Sequence, residues 1–382
     1  MKNADLIHHP YQPPAGFASP VQPVFKGSSI FASSVAALKA TQWKDRDAYT
    51  YGLHGTPTTF ALESRIALLE GGKHALLAPS GLSALALVNQ ALLKQGDAVC
   101  LPDNAYGPSR VMARNELAAW GVAHSFYDPL DAESLRAQLS PATKLVWLEA
   151  AGSVTLEFPD LVGLIAATRE RAPQAVIALD NTWGAGLAFD AFELGVDLTI
   201  HALTKYPSGG GDVLMGSVCC RDDALFARLA SAHGRLGIGV GANDVELVLR
   251  NLPSMRLRYE AQDAAARRIA EWARGLPGVS QVLHPALVDS PGHAHWASIC
   301  RGAAGLLTLA FDPAIAGSRI EAAVDALKYF RIAWSWGGPV SLAVPYDLAV
   351  IRGRGQGTVL RLSIGLEEPE VLMADLQQAL RF

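Results

Sequence analysis

The 382-residue sequence predicts an α/β chain, with a large domain on a mainly parallel central sheet and a smaller C-terminal α+β domain. Two observations carry the large domain. Short, nearly unbroken apolar runs recur from residue 74 onward, and stretches of helix length separate them. Strands covered on both faces read as continuous apolar runs, and helical crossovers between them make neighbouring strands parallel. A third observation carries the smaller domain: after about residue 251 the pattern changes to one long helical stretch rich in Arg, Ala and Glu, then to strands and helices in mixed order.

Taken in order, residues 1–56 form an arm rich in Pro, Gln, Ser and Phe, with little sustained periodicity. Residues 57–251 hold the sheet domain. Its strands are expected at 74–78, 98–102, 144–149, 176–180 and 198–202, with helices at 82–94 and 161–171 among the crossovers. The apolar window 75–93 approaches membrane-span length, but Pro79, Ser80 and Gly81 divide it into strand, turn and helix. Residues 252–382 hold the second domain. A helix is expected at 255–275, strands at 305–312, 330–336 and 359–364, and helices near 319–328 and 369–379.

Half of the residues are apolar and only 18% are charged, below the roughly 25% of average globular chains, which excludes a disordered or fibrous protein. Lys and Arg number 32 against 36 Asp and Glu, a net charge of −4, so the chain lacks the basic footprint of a nucleic-acid binder. Cys100, Cys219, Cys220 and Cys300 lack metal-ligand spacing and read as buried thiols of a reducing compartment. Cys219 and Cys220, adjacent on one strand, are expected to face opposite sides of the sheet. No apolar core of signal-peptide length opens the sequence, so the expectation is a soluble, cytoplasmic protein that engages no membrane.

The chemistry concentrates between residues 180 and 212. An apolar strand ends in Asp180-Asn181-Thr182, a second leads through Ala202-Leu203-Thr204 to Lys205-Tyr206, and Gly209-Gly210-Gly211-Asp212 follows. Open α/β sheets bind ligands beyond the carboxyl ends of their strands. A lysine held there, partly desolvated and beside a hydroxyl, can lose its proton and form a Schiff base. A carboxylate at the neighbouring strand end can keep a pyridine nitrogen protonated. Together they describe a site for pyridoxal 5'-phosphate (PLP). On spacing alone the other reading is an ordinary ion pair between Lys205 and Asp180 or Asp197.

These segments resemble the Cys/Met-metabolism family of PLP-dependent enzymes, and the resemblance extends over nearly the whole chain. It includes Tyr49-Thr50-Tyr51-Gly52, Gly55-Thr56-Pro57-Thr58, Leu69-Glu70-Gly71-Gly72, Pro79-Ser80-Gly81, Asn104-Ala105-Tyr106-Gly107 and Arg361-Leu362-Ser363-Ile364-Gly365. It implies a fold-type I, PLP-dependent transferase-like large domain over 57–251. Within the family, Trp334-Ser335-Trp336-Gly337-Gly338 and Glu149-Ala150-Ala151-Gly152-Ser153 are most similar to the β-lyase branch, which cleaves cystathionine. Relatives acting at the γ-carbon tend to carry an acidic residue where Trp336 stands. A γ-replacement or γ-elimination enzyme of the same family is therefore the alternative, and a non-catalytic binding module of the same fold is a more distant one.

The resemblance implies a role for each site residue. Lys205 holds PLP and shuttles the Cα proton; Asp180 pairs with the pyridinium nitrogen; Tyr106 stacks on the ring. Ser80, Gly81 and Leu82 offer backbone N–H groups to the phosphate at a helix N-terminus, and Thr204 adds a hydroxyl. Arg361 clamps the substrate α-carboxylate bidentately, Ser335 assists it, and Trp336 lines the side-chain pocket. Either Lys205 or Tyr106 protonates the departing sulfur. Tyr51 reaches the phosphate of a neighbouring subunit, which makes the protein a homo-oligomer, a tetramer built from dimers with shared active sites.

One position departs from the family pattern. Two residues after that tyrosine the family usually has a phosphate-binding arginine, whereas this chain has Leu53, followed by His54. A leucine side chain donates no hydrogen bond, so His54 is expected to compensate in part. Other motifs carry less. Gly237-Ile238-Gly239-Val240-Gly241 lacks the strand and spacing of a dinucleotide loop and reads as the approach to a helix near Asn243. His284, His293 and His295 sit in a solvated loop without a completing ligand, so no metal is expected. Arg352, Arg354 and Arg361 mark a glycine-rich basic loop, not a nucleic-acid patch.

Overall fold

The computed structural model describes residues 3–8, 15–41, 48–352 and 356–382. The remaining positions, which include part of the expected arm and Arg354, lie outside the described residues. Seven strands build the large sheet: β1 (His74–Ala78), β2 (Ala98–Pro102), β3 (Ala123–Tyr127), β4 (Thr143–Glu149), β5 (Val176–Asp180), β6 (Leu198–His201) and β7 (Gly216–Cys220). They lie in the order β1-β7-β6-β5-β4-β2-β3. All neighbours from β6 through β3 are parallel, and β7 alone runs antiparallel to both of its partners, β1 and β6. The sheet is mostly parallel, as the unbroken apolar runs require: β6 and β7 are buried at every position.

Local signals place the helices that matter. Thr56 caps the helix Pro57–Glu70 by accepting from Thr59 N, proline stands in its first turn, and Gly71 ends it at φ 76 in the left-handed region. Ser80 caps the helix Gly81–Leu92 through Ser83 N. The residues 79–81 therefore form the expected turn between β1 and that helix. Cys219 and Cys220 fall in separate hydrophobic clusters on the two faces of the sheet.

The smaller sheet is antiparallel throughout, in the order β10-β11-β9-β8, from β8 (Val279–Leu283), β9 (Leu306–Phe311), β10 (Leu342–Asp347) and β11 (Thr358–Ser363). One helix, Ala242–Ala273, joins the two bodies. Its Val245, Val248, Leu252, Met255 and Tyr259 pack into the large core, and its Ala266, Ile269, Ala270 and Ala273 into the small one. The helix runs unbroken through position 251, where the sequence pattern changes, and the change of core falls between Tyr259 and Ala265.

Two readings are corrected. The stretch 330–336 is not a strand: it makes a single bridge, Arg331 to Leu342, because Gly337 turns the chain at φ 77 against the backbone of Lys205 and Tyr206. The third main strand of the small sheet is β10, which follows it. His293 and His295 sit in a short helix, His293–Ile299, and not in a loop. His284 is fully buried, and among the described residues no group of three His, Cys, Asp or Glu comes together to hold a metal. No helix among the described residues is long and apolar enough to cross a membrane.

Candidate active site

A cavity of about 510 Å³ opens at the carboxyl ends of β4, β5 and β6, between the two bodies. Asp180, Lys205, Tyr106, Arg361, Ser335 and Trp336 line it, as do Ser80, Gly81, Leu82 and Thr204. Tyr51 does not. It is half exposed beside the arm and pairs with Ser29, while Leu53 and His54 line a separate small cavity with Glu63 and His233.

Lys205 follows β6 by four residues. Its Nζ donates to Ser335 Oγ at 2.9 Å and lies 5.4 Å from the centre of the Trp336 ring. Burial pushes the ammonium down to about 8; the positive charge of Arg361 adds to this and Asp180 opposes it. The amine is thus poised to lose its proton near neutrality. Ser335, expected beside Arg361, has Lys205 as its partner instead.

Asp180 ends β5. Its Oδ1 accepts from the backbone N of Thr182 at 3.0 Å and from the Thr182 hydroxyl. Burial raises its carboxyl above the usual range, with the Thr182 hydrogen bonds working against that rise. Its register partner on β4 is Glu149, a buried carboxylate that accepts from Tyr106 N at 2.8 Å. Burial, then the neighbouring Asp180, pushes the Glu149 carboxyl well up. The sequence motif around Glu149 signals no role for it; the parallel register of β4 and β5 is what makes it a neighbour of Asp180.

The end of β1 and the start of the helix Gly81–Leu92 press against the ends of β6 and β7. A Cβ on Gly81 would lie 2.7 Å from Ala202 Cβ, and one on Gly216 would lie 2.4 Å from Ser80 O. Only glycine lets the backbone approach this closely, and the approach brings the helix N-terminus to the cavity. The Thr204 hydroxyl is spoken for by Met215, donating to its O at 3.1 Å and accepting from its N at 3.0 Å.

Arg361 stands on β11, opposite Val344 of β10. It is 6% exposed, donates from Nη1 to Ser153 O at 3.1 Å, and stacks over the Tyr346 ring at 5.1 Å. Tyr346 is a site residue that sequence reasoning missed, because it belongs to the strand that was not foreseen. Arg352, on the same rim, pairs with Asp103 at 2.7 Å and with Glu157.

A strand-end lysine, a partly buried carboxylate on the next strand and a buried arginine from the second body, all around one cavity, define a lysine-anchored cofactor enzyme of the α/β class. The comparisons give the family. A family model described as Cys/Met metabolism PLP-dependent enzyme matches residues 3–381, and the chain belongs to that family. It is 35% identical over 359 residues to cystathionine β-lyase MetC of Escherichia coli (strain K12), covering 92% of this chain and 91% of that one. It is 37% identical over 369 residues to a putative cystathionine β-lyase of Rhizobium johnstonii, covering 95% and 91%. The crystal structure of metB from Corynebacterium glutamicum superposes with a TM-score of 0.91 at 28% identity, covering 99% of this chain and 97% of that one. The large domain is therefore of fold type I, and the cofactor of this enzyme is PLP.

Proposed function

We propose that this enzyme is a carbon–sulfur lyase that converts L-cystathionine and water to homocysteine, pyruvate and ammonia, and that it accepts other cysteine S-conjugates. The observation that carries the reading is the wall beside the reacting amine: Lys205 Nζ faces the Trp336 ring, 5.4 Å from its centre, and hydrogen-bonds to Ser335. An aromatic wall suits a thioether, since sulfur packs favourably against ring edges. The lyase names of relatives at 35% and 37% identity point the same way.

The residues present fit PLP. The N-terminus of the helix Gly81–Leu92, with Ser80, Gly81 and Leu82, offers an anion site for its phosphate. Lys205 is the anchoring amine, Asp180 the counter-charge for its ring nitrogen, and Tyr106 the stacking ring. When bound, PLP supplies an electron sink that lowers the cost of removing the substrate's Cα proton.

The protein groups do the rest. Arg361 receives the α-carboxylate: with Nη1 tied to Ser153 O and its plane stacked on Tyr346, the guanidinium is held in one orientation before substrate arrives. Lys205, lowered to about 8, is a base of suitable strength to take the Cα proton. Ser335 fixes where Nζ sits. The Tyr106 hydroxyl, held protonated by burial and by the charges of Asp180 and Glu149, and the protonated Lys205 are the two groups able to protonate the leaving sulfur. Thr204 contributes by fixing the turn that carries Lys205, since Met215 occupies its hydroxyl.

The test is the keto acid formed from L-cystathionine by the PLP-loaded enzyme. Pyruvate with equimolar homocysteine is expected. Release of 2-oxobutyrate and cysteine would contradict the reading and assign a γ-elimination.

A further inference from the structure

Behind the large sheet, on the face opposite the cavity, lies a buried polar cluster that the cofactor chemistry leaves unused. Side chains alternate along a strand. Asp180 and its register partner Ile200 face the cavity, so His201, the next residue, faces away from it. Glu70, the last residue of the helix Pro57–Glu70, meets it there: Glu70 Oε1 lies 2.8 Å from His201 Nδ1, and both side chains are 0% exposed. Glu70 Oε2 accepts from Asn181 Nδ2 at 2.8 Å.

This is an unfavourable place for a carboxylate. It is fully desolvated, and it stands at the negative end of a helix dipole. A residue that breaks two local rules at once is expected where function requires it. Its two partners show what the arrangement holds. Asn181 follows Asp180 directly at the end of β5, and His201 closes β6, four residues ahead of Lys205. The His201 ring has no partner at Nε2, so its bond to Glu70 is the one that orients it. On the cavity side Thr182 joins the same two strand ends, donating to Asp180 Oδ1 and accepting from Ala202 N at 3.0 Å.

We propose that Glu70 is a positioning residue for the cofactor site: through Asn181 and His201 it clamps the carboxyl ends of β5 and β6 from behind the sheet, and so fixes Asp180 relative to Lys205. The inference rests on the reading of Asp180 and Lys205 as cofactor contacts. Supporting layers of this kind set the geometry of the groups that touch a ligand, and at metal sites their loss typically costs about 10–100-fold in affinity or activity.

The test compares Glu70→Ala and Asn181→Ala with Leu62→Ala, a buried apolar truncation in the same helix as Glu70. Three quantities are read: the PLP dissociation constant, the visible absorbance of the bound cofactor, and Tm. Both clamp variants are expected to weaken PLP binding by about tenfold or more and to shift the absorbance. Leu62→Ala should lower Tm while leaving the other two unchanged. If Glu70→Ala does not fold, Asn181→Ala carries the test alone. Clamp variants that lower Tm but keep the wild-type dissociation constant and spectrum would overturn the proposal. Asp180→Asn separates the two layers of argument. If it moves affinity and spectrum while the clamp variants do not, the clamp alone fails; if it moves neither, the reading of Asp180 fails with it.

Discussion

Lys205 is made reactive by its surroundings. A lysine in water titrates near 10.5; here burial and the charge of Arg361 bring it to about 8. Only the neutral amine attacks the cofactor aldehyde, so PLP capture by the apoenzyme should accelerate with rising pH and level off above about 8. Stopped-flow absorbance checks this, and a rate still climbing toward the ordinary value of 10.5 would contradict it. Most of the side chains around this amine were legible in the sequence, because strand ends in an α/β sheet converge on one place and their side-chain chemistry is distinctive. The partners of those side chains were not. Glu149 beside Asp180, Tyr346 under Arg361 and Glu70 behind His201 depend on register and on contacts between residues far apart in the chain, which no local pattern encodes.

Among the elements, β1, β2, β4, β5 and β6 are legible as apolar runs, whereas β7, buried at every position but opening on Gly216 and Ser217, is not; the helix Leu161–Arg171 matches its expected bounds. Besides β7, the strands β3, β8 and β10 lie outside the expected set, and two of these have clear physical reasons. β3 lies at the sheet edge and is only partly buried, so it carries no continuous apolar run. β10 contains Pro345 and occupies an edge of the small sheet, where a proline is tolerated. The segment 330–336 misled in the other direction: its aromatic and branched residues resemble a strand, yet they serve the cavity. The backbone there passes so close to Lys205 that a Cβ on Gly337 would sit 3.1 Å from Tyr206 N. This approach is what lets Ser335 and Trp336 reach the lysine.

For the whole molecule, the low charge fraction gains a meaning. Apolar side chains stand out on the described part of the arm: Phe31 is 99% exposed, Val35 68% and Leu38 55%. Exposed apolar surface of this kind marks an interaction site. We propose that the partner is a second copy, whose Tyr51 completes the cofactor site, within a tetramer built from two dimers. Complementation tests the shared site. Tyr51→Ala and Lys205→Ala, each inactive or nearly so alone, are expected to regain activity when refolded together, because a mixed dimer contains one intact site. Activity no greater than the sum of the separate variants would place each site within one chain.

All of this chemistry depends on Lys205, in this cavity, being the residue that carries the cofactor. Borohydride reduction of the PLP-loaded enzyme, followed by peptide mass spectrometry, tests it most directly. A pyridoxyl-phosphate tag on the peptide containing Lys205, absent in Lys205→Ala, is the predicted result. A tag on any other lysine, or a Lys205→Ala variant that still traps the cofactor, would contradict it.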